Sequence, residues 1–246
     1  VETTFSNSKT RDIFHLPAGT EKLPGAAYSD EGQHAAFVEQ RAGRYRLQLL
    51  SLQRGAAATL TESATEIRDP LPRPRHNSLV YRNAGAIWMI DFDGRHNRRL
   101  NLAEGELPQV RWSPDGHALQ YLNHPRDPHK LANLREWSPE SGGDLRIADT
   151  TQFVRFHGNA DSNVFVGAGG SKSSPYLLLL IRTAKRELAI AEHRAGDAAI
   201  VNPIFAPNSQ FVVFCSDRHG KPAIYWIAVD KLVAETDVIG KSSSGR

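Results

Sequence analysis

The segment Asn202–Val229 constrains the fold more than any other part of the chain. Its sequence, NPIFAPNSQFVVFCSDRHGKPAIYWIAV, contains three apolar runs separated by a Pro-Asn-Ser turn and an Asp-Arg-His-Gly hairpin. Short apolar runs bounded by turn residues are typical of β-strands. Three such strands joined by tight turns are the pattern of one β-propeller blade, so we expect a short fourth strand after Val229.

Related patterns recur upstream at a spacing of roughly 45 residues, within the range of propeller repeats. The upstream copies begin near Gly25, His76, Pro108 and Phe153. Two of their turns, Tyr-Ser-Asp-Glu-Gly and Trp-Ser-Pro-Asp-Gly, are near copies and supply residues that tolerate a positive φ. The sequence therefore predicts an all-β propeller with about five complete four-stranded blades.

We expect residues 1–246 to form a single propeller domain, with five blades over 24–240 and a disordered polar tail over 241–246. Residues 1–23 are predicted to be a partial blade, because Arg11–Leu23 has the pattern of two outer strands without inner ones. Such a half blade either closes the ring beside the C-terminus or belongs to a longer parent chain. We favour the longer chain, in which the ring has six or seven blades.

Charge and composition argue against several kinds of partner. The formal net charge is only +3 and the basic residues are scattered, so an acidic small ligand fits better than nucleic acid. The longest apolar run, Tyr176–Ile181, is far too short to span a bilayer, so no membrane partner is expected. The single cysteine, Cys215, lies in an apolar run and is predicted to be a small buried side chain. The composition is compatible with a homo-oligomer, and with either the bacterial cytoplasm or the periplasm as the compartment.

Arginines give the strongest functional signal. Arg75, Arg111 and Arg155 are predicted to lie at the start of inner strands in the second, third and fourth blades. Equivalent positions around a ring converge on one axial cavity, and guanidinium groups bind carboxylates through paired charged hydrogen bonds. This pattern predicts an acidic ligand, although ordinary salt bridges between blades explain the same residues equally well.

The remaining motifs are weaker. Gly167–Ser174 lacks phosphate-loop spacing and precedes a predicted strand rather than a helix. The ten histidines show no metal-binding spacing, and no Gly-x-Ser-x-Gly elbow is present. His157 differs from the other histidines because it lies beside Arg155, at an inner strand. A structural role explains His157 at least as well as a chemical one.

The second half of the chain carries a family resemblance. The runs FHGNADSNVFVGAGGSKSSPYLLLLIR and RELAIAEHRAGDAAIVNPIFAPNSQFVVFCSDRHGKPAIYWIAVDKLVAET resemble the last two blades of oligogalacturonate-lyase-like proteins. The Ser-Pro-Asp-Gly turn is shared more broadly, with TolB-type propellers. The resemblance implies a seven-bladed propeller that degrades pectin fragments by β-elimination, aided by a divalent metal, typically manganese.

The resemblance also implies that histidines and a glutamine on inner strands hold the metal. This chain has other residues where those histidines are expected: Gln109 before Trp112, Arg155 in the fourth blade, and Asn202 in an Ile-Val-Asn-Pro run. We therefore assign no metal ligand, and the cofactor stays undefined.

Two functional interpretations remain open. In the first, the chain is a divergent lyase that binds and cleaves short galacturonides. Its predicted catalytic residues are Arg155 and His157, and its predicted substrate-binding residues are Arg75, Arg111, Gln109 and Asn202. In the second, the chain is a non-catalytic TolB-like propeller that binds acidic sugars or a protein.

Overall fold

The computed structural model describes residues 2–4, 9–150, 153–170 and 175–230. The described residues are almost all in strands or turns, with one 3₁₀ turn at Ala198–Ile200. They fall into two compact units, 1–102 and 103–246, which are described separately below. The predicted tail over 241–246 lies outside the described residues. None of the described helical segments is long and apolar enough to cross a membrane.

The first unit contains two large antiparallel sheets and a hairpin. Its strands are β1 (Glu2–Thr4), β2 (Lys9–Arg11), β3 (Glu21–Lys22), β4 (Ala27–Tyr28), β5 (His34–Arg41), β6 (Arg44–Ser51), β7 (Ala56–Ser63), β8 (Ile67–Pro72), β9 (Ser78–Asn83), β10 (Ala86–Asp91) and β11 (Arg98–Arg99). Strands β1 and β2 pair with each other, and β3 and β4 both pair with β5. The second large sheet has the order β11-β10-β9-β8, so each strand pairs with its neighbour in the chain.

The second unit contains three antiparallel sheets. Its strands are β12 (Glu106–Trp112), β13 (Leu119–His124), β14 (Ala132–Trp137), β15 (Asp144–Thr150), β16 (Phe153–Gly158), β17 (Val164–Gly169), β18 (Tyr176–Ile181), β19 (Arg186–Glu192), β20 (Ile204–Phe205), β21 (Phe211–Ser216) and β22 (Ala223–Ala228). The sheets have the orders β12-β13-β14-β15, β16-β17-β18-β19 and β20-β21-β22. The fourth strand expected after Val229 falls mostly on residues outside the described ranges.

Successive sheets of the second unit bury apolar side chains against each other. Phe165 on β17 packs in a cluster with Leu122 and Leu134 of the preceding sheet. Its neighbours on the strand face the other way, and Val166 packs in a cluster with Phe205 of the following sheet. Both faces of β17 are therefore buried, which explains why this strand is apolar throughout rather than alternating.

The first unit follows the same principle. A single cluster joins β5, β6 and β7 to β8, β9 and β10, and its members include Val38, Leu47, Ile67, Leu79 and Ile90. Each of these side chains is less than 9% exposed. Apolar strands stacked face to face, with four-stranded antiparallel sheets in both units, confirm the predicted all-β propeller class.

The last sheet corrects one prediction. Cys215 is exposed rather than buried. It lies on the same face of β21 as Phe211 and Val213, since side chains alternate along a strand. Ile224 and Trp226 of β22 are also exposed, at 75% and 68%. The apolar run predicted the strand correctly, but it carried no information about which face of that strand another sheet covers.

Candidate functional site

The innermost strand of each sheet in the second unit (β12, β16 and β20) is followed by a turn with the same pattern of backbone hydrogen bonds. The first residue of each turn is Ser113, Asn159 or Ala206. In all three, the amide of that residue donates to the carbonyl five residues later, and its carbonyl accepts from the amide three residues later. Equivalent positions on the strands can therefore be found by counting back from the turn.

Two inner-strand positions carry the predicted site residues. Four residues before the turn are Gln109, Arg155 and Asn202. Two residues before the turn are Arg111, His157 and Ile204. The two arginines were expected at equivalent positions at the start of their strands, and that expectation is wrong. Arg111 corresponds in register to His157, because Arg155 lies two residues further from its turn than Arg111 does.

Gln109 links two neighbouring inner strands. Its side chain is buried, and Oε1 accepts a hydrogen bond of 2.7 Å from the backbone N–H of Phe156 on β16. The pairing of β12 with β13 is irregular between Glu106 and Gln109, a bulge that turns the strand just before this side chain. Gln109 therefore fixes the position of β16 next to β12, and its Nε2 is the part of the amide left to donate to a ligand.

His157 makes the corresponding link from β16 to β20. Its Nδ1 accepts a hydrogen bond of 3.3 Å from the backbone N–H of Phe205. Burial, and secondarily the positive charge of Arg111, lower the pKa of His157 to about 4. The imidazole is therefore neutral at neutral pH. Because Nδ1 accepts the Phe205 hydrogen bond, the ring proton is on Nε2.

Arg111 is a half-buried cation that has no anionic partner in the part of the chain that the structure describes. Burial lowers the pKa of its guanidinium, which remains charged at neutral pH. No carboxylate of the described residues lies within 4.0 Å of it. Arg155 is also half-buried, and it makes no side-chain hydrogen bond or ion pair to any residue in the described ranges. A cation held partly out of water without a counter-ion costs free energy, so these two guanidinium groups favour an anionic ligand.

Other partly buried arginines of the second unit are paired. Arg135 Nε lies 3.1 Å from Asp144 Oδ1, and the same carboxylate accepts a hydrogen bond from the Tyr121 hydroxyl. Arg182 binds both oxygens of Glu136 at 2.8 and 2.6 Å and so joins two sheets. Arg135 and Arg182 are therefore structural. Arg218 is held differently, by the Glu192 backbone carbonyl and by the faces of the Phe214 and Tyr225 rings.

The two other predicted site residues lie on the surface. Arg75 was predicted at the start of an inner strand and instead lies in the turn between β8 and β9, because β8 already ends at Pro72. It is exposed, has a φ of 59°, and its backbone N–H donates to Asp30 Oδ1. Asn202 is exposed two residues before β20 and has a φ of 37°, a conformation that asparagine tolerates better than most residues.

A cavity of about 590 Å³ opens beside the first residues of β16. It is lined by Val154, Gly169, Gly170, Pro175, His193 and the segment 195–199. His193 is buried and structural: its Nε2 donates to the Gly169 carbonyl, and its Nδ1 accepts from the Ala195 N–H. The sequence analysis did not single out His193, and its spacing from other histidines gave no signal.

The described residues do not offer a conventional metal site. Among them, no group of three or more histidine, cysteine, aspartate or glutamate side chains is close enough to hold a metal ion. The positions four and two residues before the three turns of the second unit carry one histidine, His157, among six residues.

Known proteins similar to this chain were found by sequence and by structure. No protein-family model matches it. An oligogalacturonide lyase of Pectobacterium atrosepticum is 26% identical over 211 residues, and an oligogalacturonate lyase of Dickeya dadantii is 28% identical over 212. Each alignment covers 73% of this chain and 54% of the relative, so the chain spans about half the length of these curated relatives.

The structural comparison gives the same family first. A solved oligogalacturonate lyase in complex with manganese superposes with a TM-score of 0.86 at 19% identity, over 92% of this chain and 70% of that one. TolB from Acinetobacter baumannii gives a TM-score of 0.65 at 18% identity, over 85% of this chain and 52% of that one. Similarity at this identity establishes the fold only. Together with the sequence matches, it confirms the predicted resemblance of this chain to the oligogalacturonate lyases.

Proposed function

We propose that this chain binds short galacturonides and cleaves them by β-elimination. The observation that carries the proposal is the half-buried guanidinium of Arg111, whose charge acts on the neutral imidazole of His157, together with the half-buried Arg155 two residues before His157 on β16. Each sugar of a galacturonide carries one carboxylate. These carboxylates can pair with Arg111 and Arg155, which have no carboxylate partner among the described residues. The sequence relatives are lyases that act on such oligosaccharides by name.

The chemistry assigns a distinct task to each group. In β-elimination, a base removes the proton from the carbon that bears the carboxylate, the bond to the leaving oxygen breaks, and an acid protonates that oxygen. Neutralising the carboxylate stabilises the charge that develops on it when the proton leaves. We assign this neutralisation to the Arg155 guanidinium. His157 is the neighbouring titratable group: its Nδ1 would take up the carbon-bound proton after releasing the Phe205 N–H, and its Nε2, which carries the ring proton, would protonate the leaving oxygen.

The other predicted residues are proposed to bind the sugar. Arg111 would bind a carboxylate, Gln109 would donate from Nε2 while Oε1 holds Phe156, and Asn202 would offer an exposed amide. Arg75 belongs to the first unit, and its part in sugar binding stays a prediction.

Manganese does not fit the described residues. Mn²⁺ is held by oxygen and imidazole ligands, and the described chain has no such cluster. The imidazole of His157 on β16 has Nδ1 already occupied, and a cation there would meet the charge of Arg111. The proposal therefore routes no step through a metal.

The test is to incubate the purified protein with digalacturonate, in MnCl₂ or in EDTA, and follow the ultraviolet absorbance of the unsaturated product. We expect product in both conditions. Product formed only with manganese would keep the lyase but remove the arginine-based chemistry. No product in either condition would overturn the proposed cleavage.

A second candidate is a sugar-binding propeller without catalysis. It is favoured by the replacement of expected histidines by Gln109, Arg155 and Asn202, and by the structural similarity to TolB. Titration calorimetry with digalacturonate separates the two, because this candidate predicts binding without any unsaturated product.

A further inference from the structure

The last sheet of the second unit, β20-β21-β22, is covered on one face only. Val212 and Phe214 of β21 point towards the preceding sheet and are buried in clusters with Val166 and Ala168 of β17. The alternate residues of β21 point to the opposite face, together with the residues that pair with them on β20 and β22. This open face consists of Ile204, Phe211, Val213, Cys215, Ile224, Trp226 and Ala228.

The open face is apolar throughout, and its largest side chains are in contact with water. Ile224 is 75% exposed and Trp226 is 68% exposed, and no member of the face is charged. The rings of Phe211 and Trp226 pack edge to face, with their centroids 5.1 Å apart. Together with Ala206, Val213 and Ile224 they line a concavity of about 380 Å³. A contiguous exposed apolar surface of this kind marks an interaction site.

The size of the open face sets the strength of the contact that it can make. Three strands about 4.8 Å apart and about 20 Å long present roughly 300 Å² in projection. A stable protein interface buries about 800 Å² on each partner. We therefore expect a partner that binds the face specifically but reversibly.

The first large sheet of the first unit differs from the last sheet because both of its faces are covered within its own unit. On β5, Val38 packs in the cluster that joins this sheet to β8, β9 and β10. The neighbouring Phe37 points the other way and packs in a cluster with Phe14 and Leu16. Head-to-tail stacking of sheets from two copies would need a second open sheet face, and β5 does not provide one.

The other large apolar side chains that are exposed among the described residues are scattered. They lie on five different strands, loops or turns: Tyr28, Leu131, Leu145, Leu188 and Ile200. A two-fold contact needs only one surface, because the same patch of each copy covers the other. It also places no charge opposite the open face, since the face has none. The surface that complements the open face best is therefore the same face of a second copy.

We infer that the open face is a dimerisation surface, in which β20-β21-β22 of one copy packs face to face on β20-β21-β22 of another. Association removes Ile224 and Trp226 of both copies from water, and this burial of apolar surface drives it. The inference goes beyond the proposed galacturonide chemistry and does not depend on it, because none of the residues proposed to bind sugar belongs to the face.

Sedimentation velocity of the 246-residue chain is the first test. Over protein concentrations of about 1 to 300 µM, we expect a reversible change from monomer to dimer. Trp226→Glu buries a charge in the contact and should weaken dimerisation about tenfold or more. Because Trp226 is exposed, this variant should keep the circular dichroism spectrum and the unfolding midpoint of the parent protein. The matched control is Leu131→Glu, which puts the same charge on an exposed leucine outside the face and should leave dimerisation unchanged.

Cys215 provides a second readout at the face itself. It is exposed and is the single cysteine of the chain, so the thiol reagent DTNB reports on this position alone. In the parent protein, the rate of its reaction should fall as the protein concentration rises, because the second copy covers the thiol. In Trp226→Glu, the rate should stay the same at every concentration.

Three results would overturn the inference. A parent protein that stays monomeric, with a Cys215 reactivity independent of concentration, leaves the face to a different polypeptide. A dimer that Trp226→Glu does not weaken, or that Leu131→Glu weakens equally, has its contact elsewhere. Assembly that continues beyond the dimer contradicts a two-fold contact through a single face.

Discussion

The inner strands of the two units share one backbone design and differ in chemistry. In the first unit, the turns begin at Ser29 and Arg73 and make the same two backbone hydrogen bonds as the turns of the second unit. Two residues before these turns are Ala27 and Leu71, where the second unit has Arg111 and His157. Each of these residues pairs with the residue nine positions later on the next strand, so the register is common to both units.

Charge compensation also differs between the units. Four residues before the turn, the first unit has Asp69, whose carboxylate lies 3.1 Å from Arg82 Nε. The corresponding Arg155 has no such partner among the described residues. The same inner-strand position therefore carries a paired carboxylate in the first unit and, among the described residues, an unpaired guanidinium in the second.

The largest expected effect comes from removing the charge of the second unit. Arg155→Ala should weaken digalacturonate binding about tenfold or more, because a charged hydrogen bond contributes about 1.5–3 kcal/mol. Titration calorimetry measures the change. The register-matched control is Asp69→Ala in the first unit, for which we expect unchanged affinity. An equal loss in both variants would mean that the contrast between the units has no bearing on binding.

A medium effect is expected on the pH dependence of stability. The pKa of His157 is lowered from 6.5 to about 4 in the folded protein, so between these pH values the unfolded chain binds more protons than the native one. The charged group that faces His157 is Arg111, from β12. This part of the stability is therefore present above pH 6.5 and is lost as the pH falls towards 4.

His157→Gln should remove that component, because glutamine does not titrate and its Oε1 can still accept the Phe205 N–H. Urea unfolding at pH 7 and pH 4.5 should show a smaller loss of unfolding free energy in this variant than in the parent protein. The exposed His129→Gln serves as control. Parallel losses in parent and His157→Gln would contradict the buried, neutral imidazole.

The smallest effect is expected from the ion pair of the first unit. Asp69→Asn should lower the free energy of unfolding by less than about 1 kcal/mol, because the Asp69 side chain is 60% exposed and surface pairs contribute little. Chemical denaturation measures this difference. A loss of several kcal/mol would contradict this prediction, because it would mean that the Asp69–Arg82 ion pair stabilises the fold far more than a surface pair does.

Part of the site could be predicted from the sequence. The family resemblance leads one to expect histidines where the chain has Gln109, Arg155 and Asn202, and the backbone register puts these three residues at one equivalent position. The sequence pattern misplaced Arg75, because nothing in the Arg-Pro-Arg-His run tells where β8 ends and its turn begins. The sequence also did not predict that Gln109 Oε1 accepts a hydrogen bond from the Phe156 N–H.

The sequence by itself determined the class of fold and the repeat, because alternating apolar runs and Asp, Asn or Gly turns are local signals that each blade carries independently. Only the tertiary structure decided which strand faces are covered and which charges are paired. Cys215 is exposed, Arg182 binds Glu136 of the preceding sheet, and the charge of Arg111 acts on His157 while no carboxylate in the described ranges pairs with it. Arg182 and Glu136 are 46 positions apart in the chain, and their proximity is fixed by the packing of one sheet on the next.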